Sequence, residues 1–189
     1  MAPKSRLDTD MQTATIRGIF VNSHVDAVRK LTGEEGVRLL EKRFGKSVKF
    51  GMMDPVPIRD EVKIIDLSLD ILGDKPIPPD QRDFEAGRLH FENFSQTPLG
   101  EFLLSFFKNE FKLVMLRAPS IANHIFSGIT FSSKELGPTV VAVTMSASDY
   151  APEHFHGIFS EWMQYGGYRG RVEVAKLEHG DIEYTMRWL

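Results

Sequence analysis

The apolar positions change period part-way along the chain. Up to about residue 116 they recur at helical spacing; beyond 125 they alternate or cluster in short runs. Thr15 to Val21 is a short apolar entry, after which Asn22 or Ser23 can cap a helix over 23–32 that Gly33 closes. Thr32 and Glu35 have the spacing of a capping box. Val37, Leu40 and Phe44 then share a face, so a second helix is expected over 34–44, ending at Gly45. Pro55 and Pro57 make the next connection extended. Val62, Ile65, Leu69 and Leu72 form the stripe of a third helix over 59–72, with Asp60, Lys63, Asp66 and Asp70 pointing elsewhere. Asp80 caps a fourth over 80–95, with Phe84, Arg88 and Phe91 along one side. Thr97-Pro98 starts a fifth, running to about 116 and apolar around most of its circumference, which predicts a central buried helix. Seven of the fourteen phenylalanines lie between Phe84 and Phe111, which places the core there.

The second half reads as strand, strand, helix, strand, strand. Residues 125–135 and 139–147 flank Gly137-Pro138 as a hairpin. Pro152 opens a helix with Phe155, Ile158, Phe159 and Trp162 at i, i+3, i+4 and i+7. Residues 171–178 and 181–189 form a second hairpin around His179-Gly180. In its last strand Ile182, Tyr184, Met186 and Trp188 alternate with polar residues, giving one buried and one wet face. The expected fold class is therefore α+β: about five N-terminal helices packed on a C-terminal four-stranded antiparallel sheet of ββαββ order. Residues 1–14 read as a mobile tail, and 15–189 as a single domain.

Composition narrows the function classes. The 189 residues carry 23 Lys and Arg against 26 Asp and Glu, a net charge of −3, which disfavours non-specific nucleic-acid binding. Cysteine is absent, which removes disulfides, thiolate metal sites and cysteine nucleophiles. No run of about 18 apolar residues offers a membrane span, and no secretory leader is visible at the start, so a cytoplasmic location is expected.

Residues with chemical potential are few and scattered. His154 and His156 suggest a metal pair, but on a helix they project about 200° apart and cannot grip one ion, so no metal site is expected. His24, His90 and His124 are the remaining imidazoles for a haem axial position; His90, in the Phe-rich helix pair, is the best placed. Arg88 either pairs with Glu85 or Glu92, or reads a carboxylate or phosphate on an apolar ligand. Gly166 to Gly170 follows a helix and precedes a strand, the wrong order for a dinucleotide loop, and reads as a helix stop and turn. Lys42, Arg43, Lys46 and Lys49 read as a solvated helix end. No nucleophile elbow and no zinc-protease motif occurs, so no catalytic residue is assigned.

Several stretches, in order over residues 16–189, resemble a myxobacterial paralogous family of similar length and unknown function. They are Arg17-Gly-Ile-Phe20, Ile58-Arg-Asp60, Phe91-Glu-Asn-Phe-Ser-Gln-Thr-Pro-Leu-Gly100, Ala118-Pro119, Gly128, Pro152, Gly166-Gly167 and Tyr184-Thr-Met-Arg-Trp188. The plan of helices followed by ββαββ is also similar to a superfamily of vesicle-tethering (TRAPP-type), vinyl-reductase-type and haem-nitric-oxide-binding domains. That resemblance implies a dimerising or small-ligand-sensing scaffold rather than an enzyme. The Tyr-x-Ser-x-Arg that marks the haem-binding branch is missing here, so no cofactor is expected.

The function expected from these readings is a non-enzymatic sensory or regulatory module holding an apolar small molecule between the Phe-rich helices and the sheet. Phe91, Phe94, Phe102, Phe106 and Trp162 would line the site and Arg88 would anchor a polar group. His90 would serve a cofactor only if that cofactor were haem. The alternative is an interaction module without a small ligand, forming a homodimer or docking a signalling protein. An enzyme whose site the spacing hides is the remaining reading.

Overall fold

The computed structural model describes residues 14–73, 75–105 and 110–189. Among them are six α-helices and two antiparallel sheets, a mixed α+β fold. The tail expected over 1–14 lies outside the described residues except for Ala14, whose carbonyl accepts the Ile58 amide at 3.0 Å.

Strand β1 (Thr15–Arg17) is short but central. It pairs with β2 (Pro55–Pro57) on one side and β3 (Phe126–Ser127) on the other, setting Ile16 opposite both Val56 and Phe126. This three-stranded sheet was not visible in the pattern. Its formation moves the start of helix α1 (Gly18–Phe44) forward, so Asn22 and Ser23 lie inside the helix rather than capping it. Asn22 Nδ2 donates to the Phe50 carbonyl and Ser23 Oγ to that of Phe20. The two helices expected over 23–44 form one run with a kink at Gly33 (φ 70°, ψ −169°), a conformation open to glycine and strained for other residues. Gly45 ends α1 in the left-handed region and donates to the Glu41 carbonyl.

Helix α2 (Ile58–Leu72) buries Ile58, Ile64, Ile65 and Leu69, together with Glu61 and Ser68. Helix α3 (Arg82–Ser95) packs along α6 (Pro152–Tyr165). The long helix expected over 98–116 is instead α4 (Pro98–Ser105) and α5 (Phe111–Ile125), with Glu110 non-helical between them. Helix α5 continues through Pro119, so the residues near 125 are helical rather than strand.

The larger sheet has the order β4-β5-β7-β6 and is antiparallel throughout, from β4 (Phe131–Gly137), β5 (Val140–Met145), β6 (Gly170–Lys176) and β7 (Ile182–Trp188). In β7 the expected inner residues Ile182, Tyr184, Met186 and Trp188 are buried; on the other face Arg187 is exposed and Glu183 half-buried, while Thr185 is buried too, so that face is only partly wet. One main core joins this sheet to α1, α2, α3, α5 and α6.

Candidate functional site

Two helical stripes face each other across an apolar cavity. On α5 the stripe is Ala118, Ile121, Ala122 and Ile125; on α6 it is Phe155, Ile158, Phe159 and Trp162. Both follow the i, i+3, i+4, i+7 spacing that puts four side chains on one face. Phe91 and Phe94 of α3 and Phe20 of α1 form an end wall, and Phe131 and Val143 bring in the sheet. The cavity's volume is about 120 Å³. The walls are braced by ring contacts: Phe91 to Trp162 at 5.5 Å, Phe20 to Phe94 at 5.2 Å and Phe131 to Phe155 at 5.6 Å between centroids. One ionisable side chain reaches this wall among the described residues, His90.

Behind His90 lies a buried polar cluster drawn from four helices and a loop. Glu61 of α2 is wholly buried. Tyr150 Oη donates to its Oε2 at 2.8 Å. Its Oε1 lies 3.1 Å from His24 Nε2 of α1 and 3.2 Å from His90 Nδ1 of α3. Asn93 Nδ2 meets His24 Nδ1 at 3.2 Å, and His154 Nε2 of α6 lies 3.1 Å from His90 Nδ1. One proton arrangement satisfies these contacts. Asn93 donates to His24 Nδ1, His24 Nε2–H and His90 Nδ1–H point at Glu61, and His154 Nε2 shares the His90 proton.

Burial sets the electrostatics. It holds His24 down at about 3 and His90 at about 4, the latter opposed by the Glu61 charge. It also holds His154 well below the usual imidazole value, aided by His90 and His24. The Glu61 carboxyl is pushed up by burial, against the pull of His90 and the Tyr150 hydrogen bond. The three imidazoles are neutral near pH 7.

Close backbone contact makes the cluster. Gly87 of α3 and Gly157 of α6 sit at the crossing of the two helices, so His90 and His154 meet one turn further along. Sequence reasoning overlooked Glu61, His24, Asn93 and Tyr150 as a group, because four separate elements carry them. The signals available were a glutamate among the apolar positions of α2 and a glycine in mid-helix at each of 87 and 157.

The other residues singled out from sequence fall in different places. Phe91, Phe94 and Trp162 are on the cavity wall. Phe102 is 59 % exposed on α4 and stands apart from that wall, because α4 turns Leu103 and Leu104 inward instead. Phe106 lies outside the described residues. Arg88 does not reach the cavity as a ligand anchor. Its Nε donates to Glu161 Oε2 at 2.7 Å and its other nitrogens lie near Glu85 and Glu92, so three carboxylates already meet its charge. His156 pairs with Glu153, while His154 is buried, so the two project apart as helix geometry requires. Lys46, from the basic helix end, bonds Asp60.

The family described as "Protein of unknown function (DUF2378)" matches over residues 10–189. Comparison with curated proteins finds no match. Among solved structures the chain is similar to H-NOX proteins. A variant of the T. tengcongensis H-NOX is 15 % identical with a TM-score of 0.57 and covers 92 % of this chain and 97 % of its own. The K. algicida H-NOX, solved in an unliganded Fe(II) form, is 11 % identical with a TM-score of 0.61, at 92 % and 97 % coverage. An oxygen-binding H-NOX domain related to soluble guanylate cyclases is 14 % identical with a TM-score of 0.61, at 92 % and 95 % coverage. At this identity the likeness is one of fold.

Haem, which that fold implies, does not fit this cavity. The volume is about 120 Å³, well below the ~300 Å³ at which pockets begin to hold drug-sized ligands. Helix α5 presents Ala118, Ile121, Ala122 and Ile125 to the space and no imidazole; its one histidine, His124, is exposed. Among the described residues no Lys or Arg lines the space to meet propionates.

Proposed function

We propose that the chain, which belongs to the DUF2378 family of unknown function, is a non-enzymatic sensory module that binds a small apolar molecule in the cavity between α5 and α6. The observation that carries this reading is the cavity itself. It is about 120 Å³ and walled by aliphatic and aromatic side chains, comparable to engineered cavities of ~150 Å³ that stay dry and bind benzene or xenon. A well-packed core leaves few voids of this size, which supports a ligand-binding use for a space between two facing helical stripes. The occupant is of single-ring size and uncharged, with at most one hydrogen-bonding group set toward His90. The H-NOX neighbours share the fold, and one of them is named as an oxygen-binding domain, which supports a ligand-binding use of the scaffold. The module is cytoplasmic in this reading; no helix of the described residues is long and apolar enough to cross a membrane.

Helices α4 and α5 also expose Leu99, Phe102 and Leu113, which favours a second role in pairing with another copy of the chain or with a signalling protein. Native mass spectrometry of freshly purified full-length protein tests both. A retained small mass, exchangeable for toluene or indole and lost in Ala118→Leu, supports the sensor. A ligand-free dimer whose mass is unaffected by these compounds supports pairing alone.

A further inference from the structure

We propose that His24, Glu61 and His90 form a buried binding site for one divalent first-row transition-metal ion. The donor atoms His24 Nε2, Glu61 Oε1 and His90 Nδ1 all lie within 4.8 Å of one another, with 3.1 and 3.2 Å from each imidazole to the carboxylate oxygen. Donors on one ion at ~2.0–2.2 Å stand about 3 to 4 Å apart, so small ring rotations close the set. Two imidazoles and one carboxylate, with no thiolate, suit the iron-to-zinc part of the series and leave further coordination positions open.

Two features support a cation here. The first is charge. Glu61 is wholly buried, and no Lys or Arg among the described residues approaches it, so its neighbours offer hydrogen bonds but no countercharge. A divalent ion supplies that charge where the two rings converge. The second is the outer shell. Tyr150 Oη holds Glu61 Oε2, which leaves Oε1 for an ion. Asn93 stands at His24 Nδ1, and a half-turn of its amide sets an oxygen there to accept the Nδ1–H of a ligating ring.

The site is distinct from the apolar cavity, although His90 belongs to both. An ion on His90 Nδ1 fixes the ring that faces the ligand space, which couples metal occupancy to ligand affinity.

The test uses full-length protein stripped with a chelator and titrated with Co²⁺, then with Zn²⁺ as competitor. One tightly bound equivalent is expected, with visible ligand-field bands bleached by one equivalent of Zn²⁺. In the unmutated protein, proton NMR of the Co²⁺ form is expected to show two exchangeable, paramagnetically shifted imidazole N–H signals, one from each ring. Asn93→Ala keeps all three donors and is expected to weaken Co²⁺ about tenfold. His24→Gln and Glu61→Gln are expected to lose binding at least a hundredfold, with circular dichroism reporting whether they fold. The NMR result decides the matter if they do not. Absence of a bound equivalent, a single shifted N–H signal, or bands that depend on the surface pair His156 and Glu153 would overturn the proposal.

Discussion

Gly87 and Gly157 stand back to back where α3 crosses α6. A Cβ on Gly87 would lie 1.8 Å from the His154 carbonyl oxygen, and one on Gly157 would lie 2.1 Å from that of Phe84. Backbone atoms on both sides cannot step aside as a flexible side chain would. Alanine at either position gains ~0.5–1 kcal/mol of helix propensity. It also forces the helices apart, and overpacking of this kind costs ~1–3 kcal/mol or more. Gly87→Ala and Gly157→Ala are therefore expected to lower the urea midpoint. A raised midpoint would show that the helices do not touch as described.

Acid should destabilise the metal-free protein. His24 and His90 titrate near 3 and 4 when folded, against ~6.5 in an unfolded chain. Between those values the unfolded state binds more protons. The stabilisation they give is present above about pH 6.5 and is lost as the pH falls toward 4. His154 shifts in the same direction. Glu61, raised by burial, has the opposite sign, its stabilisation being lost as the pH rises. Three histidines face one glutamate, so the urea midpoint, measured with chelator present, should fall steadily from pH 6.5 to 4.5. A flat profile would contradict neutral buried imidazoles.

Tyr150→Phe keeps the ring, which is buried and stacks on His154 at 4.7 Å, and removes only the donor to Glu61. A buried acceptor left without its donor costs ~1–3 kcal/mol. Thermal unfolding at pH 7 should show a loss of that size, whereas replacing the exposed Tyr165 with Phe should show almost none.

Arg88→Ala separates two roles. If the guanidinium only bridges Glu85, Glu92 and Glu161, its loss costs about 1 kcal/mol, since the side chain is one-third exposed and water screens the charges. Affinity for an apolar ligand should be unchanged. A large drop in affinity at constant stability would return Arg88 to the binding site.

Much of the fold was legible because it is local. The α6 stripe, the proline at its first turn and the alternation in β7 are short-range patterns with one physical solution. The fifth helix misled because continuous apolarity over 98–116 conceals a break at Glu110, and tertiary packing carries α5 on through Pro119 to Ile125. Strand β1 was hidden for another reason: three residues have no period, and their partners lie at 55–57 and 126–127. The cavity was half legible. Phe91, Phe94 and Trp162 were found from aromatic spacing, but the α5 wall is small and aliphatic and gives no such signal. The His24–Glu61–His90 cluster was illegible, since the residues that meet lie on three helices, and His154 joins them where α6 packs closely on α3 beside Gly87 and Gly157.

The cavity is the central claim, and methyl NMR under xenon reads it directly. With alanine and isoleucine methyls labelled, xenon pressure should shift Ala118, Ile121, Ala122, Ile125 and Ile158 in a saturable way. The methyls of Ile64 and Ile65, buried elsewhere in the core, should stay in place. Saturation should be absent in Ala118→Leu. Uniform, non-saturating shifts across all of these methyls would mean that the space between α5 and α6 is closed in solution, and the ligand-binding account would fall.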